Sequence, residues 1–145
     1  MLKTTIIHPQ ILEALGRSGH FAQIVIADGN FPFGAMAGPN ATSVYLNFRP
    51  GLLDAEQVLE GLLEIVNIQG AIVMEPPPDF QPGIHRRYRE LLGSDVGWET
   101  MERWSFYDQI RLPQTTLLIA TGEQRRFANL ILTVGVVKLP EERGF

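Results

Sequence analysis

His20 and Asp28 flank a seven-residue run, Phe21 to Ala27 (FAQIVIA), that is apolar at every position but Gln23. Such a run reads as a strand covered on both faces of a parallel or mixed sheet. In open α/β sheets ligands collect in the crevice at the carboxyl ends of strands, so Asp28 stands where a polar ligand would be held. Its alternative role is local, an Asx turn closing Asp28-Gly29-Asn30. His20 sits at the other end of the run, either as a site residue or as a helix-terminal residue hydrogen-bonded to a carbonyl. A seven-residue strand is about 23 Å long, too far for both residues to touch one small ligand within one subunit. Either the His20 loop folds back over the sheet or the site is shared between subunits.

Three further residues can meet a ligand. Arg103 and Tyr107, in RWSFYDQI, are four apart across an expected strand-to-helix junction. They point either at one pocket or into a surface ion pair with a half-buried aromatic. Asn129 follows a buried strand and a turn; its amide can both donate to and accept from a ligand hydroxyl, and taken alone it is an ordinary turn residue. The run His85-Arg86-Arg87-Tyr88-Arg89 either grips phosphate or carboxylate or forms a solvated helix face or subunit contact. Other chemistries lack their residues. His8, His20 and His85 show no metal-ligand spacing, and the chain has no Cys, so no metal is expected. No Gly-x-Gly-x-x-Gly, Walker lysine or G-x-S-x-G motif occurs, which removes dinucleotide, P-loop and serine-hydrolase readings.

The elements that position these residues alternate between helix and strand along 145 residues, the grammar of one α/β domain spanning 1–145. Pro9 opens a helix of about two turns that Gly16 and Gly19 stop. A loop rich in Gly and Pro leads to a strand over Val44 to Phe48. Asp54 with Gln57 forms a capping box for a helix whose apolar face runs from Ala55 to Val66. Ala71 to Met74 is a buried strand ended by Pro76-Pro77-Pro78. Ile84 to Leu92 is amphipathic helix, Trp98 to Arg103 an alternating strand, and Ser105 to Ile110 helix. Thr115 to Ala120 and Leu130 to Val137 supply the last strands, giving five or six strands and about four helices.

Composition narrows the function classes. Twelve Lys and Arg against 16 Asp and Glu leave a net charge of −4, which offers no field to gather nucleic acid or an anionic membrane. No stretch approaches the roughly 20 apolar residues needed to span a bilayer. The opening MLKTTIIHPQILEAL lacks the apolar run of a signal peptide, so a cytoplasmic location is expected.

Taken together, the pieces resemble the L-fucose mutarotase and D-ribose pyranase family. The resemblance rests on the start MLKT, Gly19-His20, D-G-N-F-P at Asp28 to Pro32, R-R-Y-R at Arg86 to Arg89, R-x-x-F-Y at Arg103 to Tyr107, and T-G-E-x-x-x-F-A-N at Thr121 to Asn129. It favours the fucose branch, because pyranase-type relatives carry His where Tyr107 stands here. The resemblance implies a three-layer α/β/α sandwich around a mostly parallel or mixed sheet. It implies interconversion of monosaccharide anomers without a cofactor, with His20 as general acid/base and Asp28 fixing the sugar through its hydroxyls. Arg103, Tyr107, Asn129 and the backbone around Phe127 would line the same pocket. It also implies a ring-based homo-oligomer, an octamer or decamer, with sites between subunits. The chain departs from its relatives at Phe127, where they usually carry Tyr. Two other readings remain at this point, a D-ribose pyranase-like isomerase and a non-catalytic sugar-binding or transport-accessory protein.

Overall fold

The computed structural model describes residues 1–142. In chain order the elements are α1 (Pro9–Arg17), β1 (Gln23–Ala27), α2 (Phe33–Met36), β2 (Thr42–Tyr45), α3 (Ala55–Leu63), β3 (Ile68–Met74), α4 (Gly83–Leu92), β4 (Gly97–Met101), α5 (Arg103–Ile110), β5 (Thr115–Ala120) and β6 (Leu130–Val134). A 3₁₀ turn follows at Pro140–Glu142. The strands form one six-stranded sheet in the order β2-β5-β1-β6-β3-β4. β6 is antiparallel to both of its neighbours, β1 and β3, and the other pairings are parallel. Five strands therefore end at one edge of the sheet, and β6 begins there. This reversal brings the residue before β6, Asn129, to the same edge as the residue after β1, Asp28.

Alternation along the strands makes two cores. Ile24, Ile26, Leu117, Ile119, Leu130 and Leu132 face α1, α3 and α4. Val25, Ala27, Leu118 and Ile131 face Phe31 and the α5 residues Phe106 and Ile110. Both faces of the central strands are thus covered, which is why β1 is buried at all five positions and reads as a continuous apolar run. The expected three-layer sandwich is present, with a mixed sheet.

The capping box of α3 forms as expected. Asp54 accepts from the Gln57 N–H at 2.9 Å, and the Gln57 side chain accepts from the Asp54 N–H at 3.2 Å. Several boundaries differ from the sequence reading. The first strand starts at Gln23, because the turn Gly19–Ala22, closed by a 3.0 Å bond from the Ala22 N–H to the Gly19 carbonyl, holds Phe21 at φ 71°. The second strand is Thr42–Tyr45, and the loop before it contains α2. The last ends at Val134, where the Gly135 N–H bonds instead to the Asn67 carbonyl at 2.8 Å. The fourth ends at Met101, because the Glu102 side chain caps α5 by accepting from the Trp104 and Ser105 N–H groups at 3.0 and 3.1 Å. Arg103 is therefore helical, and Arg103 and Tyr107 share one face of α5 one turn apart.

Candidate active site

At the sheet edge where β1 ends and β6 begins lies a cavity of about 220 Å³ lined by Asp28, Arg103, Tyr107, Phe127 and Asn129. Five of the six residues singled out from the sequence thus converge. Asn30, Phe31, Met74 and Arg126 complete the lining, and sequence reasoning did not pick them out.

Asp28 both closes the local turn and lines the cavity. One carboxyl oxygen accepts from the Asn30 N–H at 2.9 Å and closes the Asx turn. The residue is 3% exposed and lines the cavity. Burial pushes the Asp28 carboxyl above the ordinary carboxylate range, against backbone N–H groups that lower it, while Glu123 nearby adds to the rise. Asn129 is fixed through its side-chain oxygen, which accepts from the Asp28 N–H at 2.7 Å. Asn129 lines the cavity beside Asp28, so a hydrogen-bonding amide and a carboxyl share its wall. Tyr107 is half-buried against Phe31 and Trp104, each at 5.9 Å between ring centroids. Arg103 makes no ion pair among the described residues, so the surface ion pair that was its alternative is absent there.

His20 lies elsewhere. It is exposed, its ring stacks on Phe21 with centroids 3.8 Å apart, and its Nε2 lies 2.9 Å from the Gln69 side-chain oxygen. Its carbonyl partner is thus a side-chain amide rather than the backbone of a helix end. β1 separates His20 from the cavity, and five strand residues alone span about 16 Å. The loop does not fold back over the sheet.

The loop that carries Phe127 and Asn129 is tied down by a cluster of ion pairs around Glu123 and Glu56. Glu123 is 3% exposed. Its two oxygens accept from Arg125 Nε at 2.8 Å, from Arg125 Nη2 at 2.8 Å and from the Ala55 N–H at the start of α3 at 3.1 Å. Glu56 then bridges Arg125 at 2.8 Å to Arg87 of α4 at 3.2 Å. The R-R-Y-R helix face is therefore partly an internal tie rather than a phosphate grip. Gly122 allows the close approach, since a Cβ there would overlap the Arg49 carbonyl oxygen and stand 3.0 Å from the Leu52 nitrogen.

Burial opposes ionisation of Glu123, but the bonds from Arg125 and Ala55 outweigh it and hold the carboxyl down from 4.5 to about 2. Because the folded value lies below the unfolded one, Glu123 contributes its stabilisation above pH 4.5 and loses it as the pH falls toward 2. The shift corresponds to at most about 3 kcal/mol, and to roughly 2 kcal/mol once solvent screening of the half-exposed Arg125 is allowed for. Glu123→Gln should thus unfold more easily at pH 7 by roughly that amount. Denaturant melts should show the gap to wild type closing between pH 4.5 and 2. A gap that stays constant over that range would contradict the assignment.

Residues 1–137 match the family model described as the RbsD / FucU transport protein family. The chain belongs to this family. Within the RbsD/FucU relatives, it is 31% identical to the fucose mutarotase of Danio rerio over 96% of this chain and 94% of that protein. The fucose mutarotase of Streptococcus pneumoniae, solved in complex with L-fucose, superposes with a TM-score of 0.80 at 25% identity, over 95% of this chain and 100% of that one. Bacillus subtilis RbsD, solved with D-ribose, shares the fold with a TM-score of 0.83 at 24% identity, covering 95% of this chain and 100% of that one. Among the described residues of this RbsD/FucU member, no helix is long and apolar enough to cross a membrane.

Proposed function

We propose that the chain, acting as one domain over residues 1–145, interconverts the α and β pyranose forms of a monosaccharide as an L-fucose mutarotase does. The observation that carries this reading is the convergence of Asp28, Asn129, Arg103 and Tyr107 around a sugar-sized cavity in an RbsD/FucU family member. The reaction needs only proton movement. A base takes the anomeric O1 proton as the bond from C1 to the ring oxygen breaks, and an acid delivers a proton to that oxygen, leaving an aldehyde at C1. Rotation about C1–C2 turns the other carbonyl face to the hydroxyl, and the reverse transfers close the ring with the opposite anomer.

His20 is the proposed general acid/base, since an imidazole ring can both accept and donate a proton. Asp28 accepts from sugar hydroxyls, while Asn129, Arg103 and Tyr107 donate to them, and Phe127 covers an apolar face of the ring. Because His20 stands at the opposite sheet edge, a complete site takes His20 from a second subunit. The exposed corner formed by His20 and Phe21, the latter 62% exposed, is the surface available for that contact. A ring-based octamer or decamer in the cytoplasm is the expected form.

Magnetisation exchange between anomer signals, screened over fucose, ribose, galactose and rhamnose, tests the reading. Acceleration for fucose supports it, and binding without acceleration marks a sugar-binding protein instead. Light scattering should give an assembly larger than a dimer. A 16.2 kDa monomer that still accelerates exchange would overturn the shared site.

Phe127 supplies a second test, because its ring lines the cavity while packing on Phe80 at 5.8 Å. If a hydroxyl there bonds the sugar in the transition state, Phe127→Tyr should speed L-fucose exchange roughly 2- to 13-fold, the yield of one neutral hydrogen bond of about 0.5–1.5 kcal/mol. Equal or slower exchange in a folded variant would instead assign Phe127 to apolar packing.

A further inference from the structure

We infer that His85 and Tyr88 of α4 are positioning residues that set the Asp28–Asn129 pair by gripping the backbone just before Asn129. The inference rests on the mutarotase reading for its kinetic consequence, and on geometry alone for its structural one. His85 Nε2 lies 2.7 Å from the Phe127 carbonyl oxygen, and the Tyr88 hydroxyl donates to the next carbonyl, that of Ala128, at 2.6 Å. Two consecutive carbonyls are thus held from one helix, by side chains three residues and nearly one turn apart. Burial lowers the His85 pKa, with Arg89 adding to the fall, so the ring is neutral at pH 7 and its Nε2 carries the hydrogen that the carbonyl accepts.

The backbone held in this way needs holding. Phe127 has φ 63°, in the left-handed region that residues with a Cβ seldom occupy unless their surroundings fix them. The next step in the chain of contacts is the site itself, since the side chain of Asn129 accepts from the Asp28 N–H at 2.7 Å. α4 therefore reaches Asp28 through three hydrogen bonds and no direct contact with the cavity, whose lining includes neither His85 nor Tyr88. Tyr88 is fully buried, so water cannot replace its hydroxyl at Ala128.

Tyr88→Phe and His85→Leu remove one grip each at nearly constant volume, and His85→Gln keeps an N–H donor near the position of Nε2. Amide hydrogen exchange at Asp28 and L-fucose anomer exchange are measured on all three and on wild type. The Asp28 N–H should exchange at least about 10-fold faster in Tyr88→Phe and His85→Leu, and KM for L-fucose should rise by roughly 5- to 50-fold with a smaller change in kcat. His85→Gln should restore both to within about 3-fold of wild type. A merely structural role would lower the melting temperature while leaving Asp28 protection and KM of the folded protein unchanged, and that result would overturn the inference. If the wild-type protein does not accelerate exchange at all, the mutarotase reading fails on its own, and Asp28 protection still decides the positioning role.

Discussion

Replacing His20 by Ala is expected to slow anomer exchange roughly 100-fold or more, the usual scale for loss of a general acid/base. The side chain is exposed and, among the described residues, its polar contact is with the Gln69 amide, so its removal should leave the fold within about 0.5 kcal/mol of wild type. Binding should change much less than rate, because a proton carrier acts chiefly in the transition state. Line-shape titration with L-fucose beside exchange spectroscopy separates the two. An unchanged rate would remove His20 from the mechanism. A parallel loss of binding and rate would make it a sugar contact instead.

Asp28→Asn is expected to act on the opposite quantity. The amide keeps an oxygen for the Asn30 N–H but presents an NH₂ where the carboxylate had its second acceptor oxygen, so a sugar hydroxyl there meets a donor in place of an acceptor. Hydrogen bonds to a charged group contribute about 1.5–3 kcal/mol, so affinity for L-fucose should fall roughly 10- to 150-fold. The pH dependence has a defined sign. Burial raises the folded pKa of Asp28, and sugar affinity in wild type should weaken as the pH falls through a value above that of an ordinary Asp. The Asn variant should lose that dependence. Isothermal titration across the acid range reads both, and an Asn variant that binds like wild type would exclude Asp28 from sugar recognition.

How far the sequence reaches can be judged at particular residues. α3 was legible because its signals are local, an Asp54–Gln57 capping box followed by one apolar face. Asp28 was legible because a buried strand that stops abruptly defines a carboxyl end. The start of that strand is not legible, because Phe21 is apolar by type while its backbone turns with φ 71° and its ring stacks on His20. The sequence puts Arg103 on a strand because Glu is an uncommon cap, whereas Glu102 does cap α5. The ties that hold the 121–129 loop were not legible for a different reason. Glu56 meets Arg125 across 69 positions, and His85 meets Phe127 across 42, so no window of sequence contains both partners. Asn129 reached the Asp28 edge only because β6 runs against its neighbours, a choice that an apolar run does not encode.

The claim that joins these observations is that each sugar site takes Asp28 from one subunit and His20 from another. Mixing the His20→Ala and Asp28→Asn proteins, unfolded together and refolded into common assemblies, tests it most directly. Each parent alone has every site damaged. In a random mixture a site is intact when its His20 comes from the Asp28→Asn subunit and its Asp28 from the His20→Ala subunit, so about a quarter of sites should recover. L-fucose exchange should rise in the mixture to roughly a quarter of the wild-type rate, well above the average of the two parents. Exchange that stays at that average, in assemblies shown by mass to contain both variants, would contradict it.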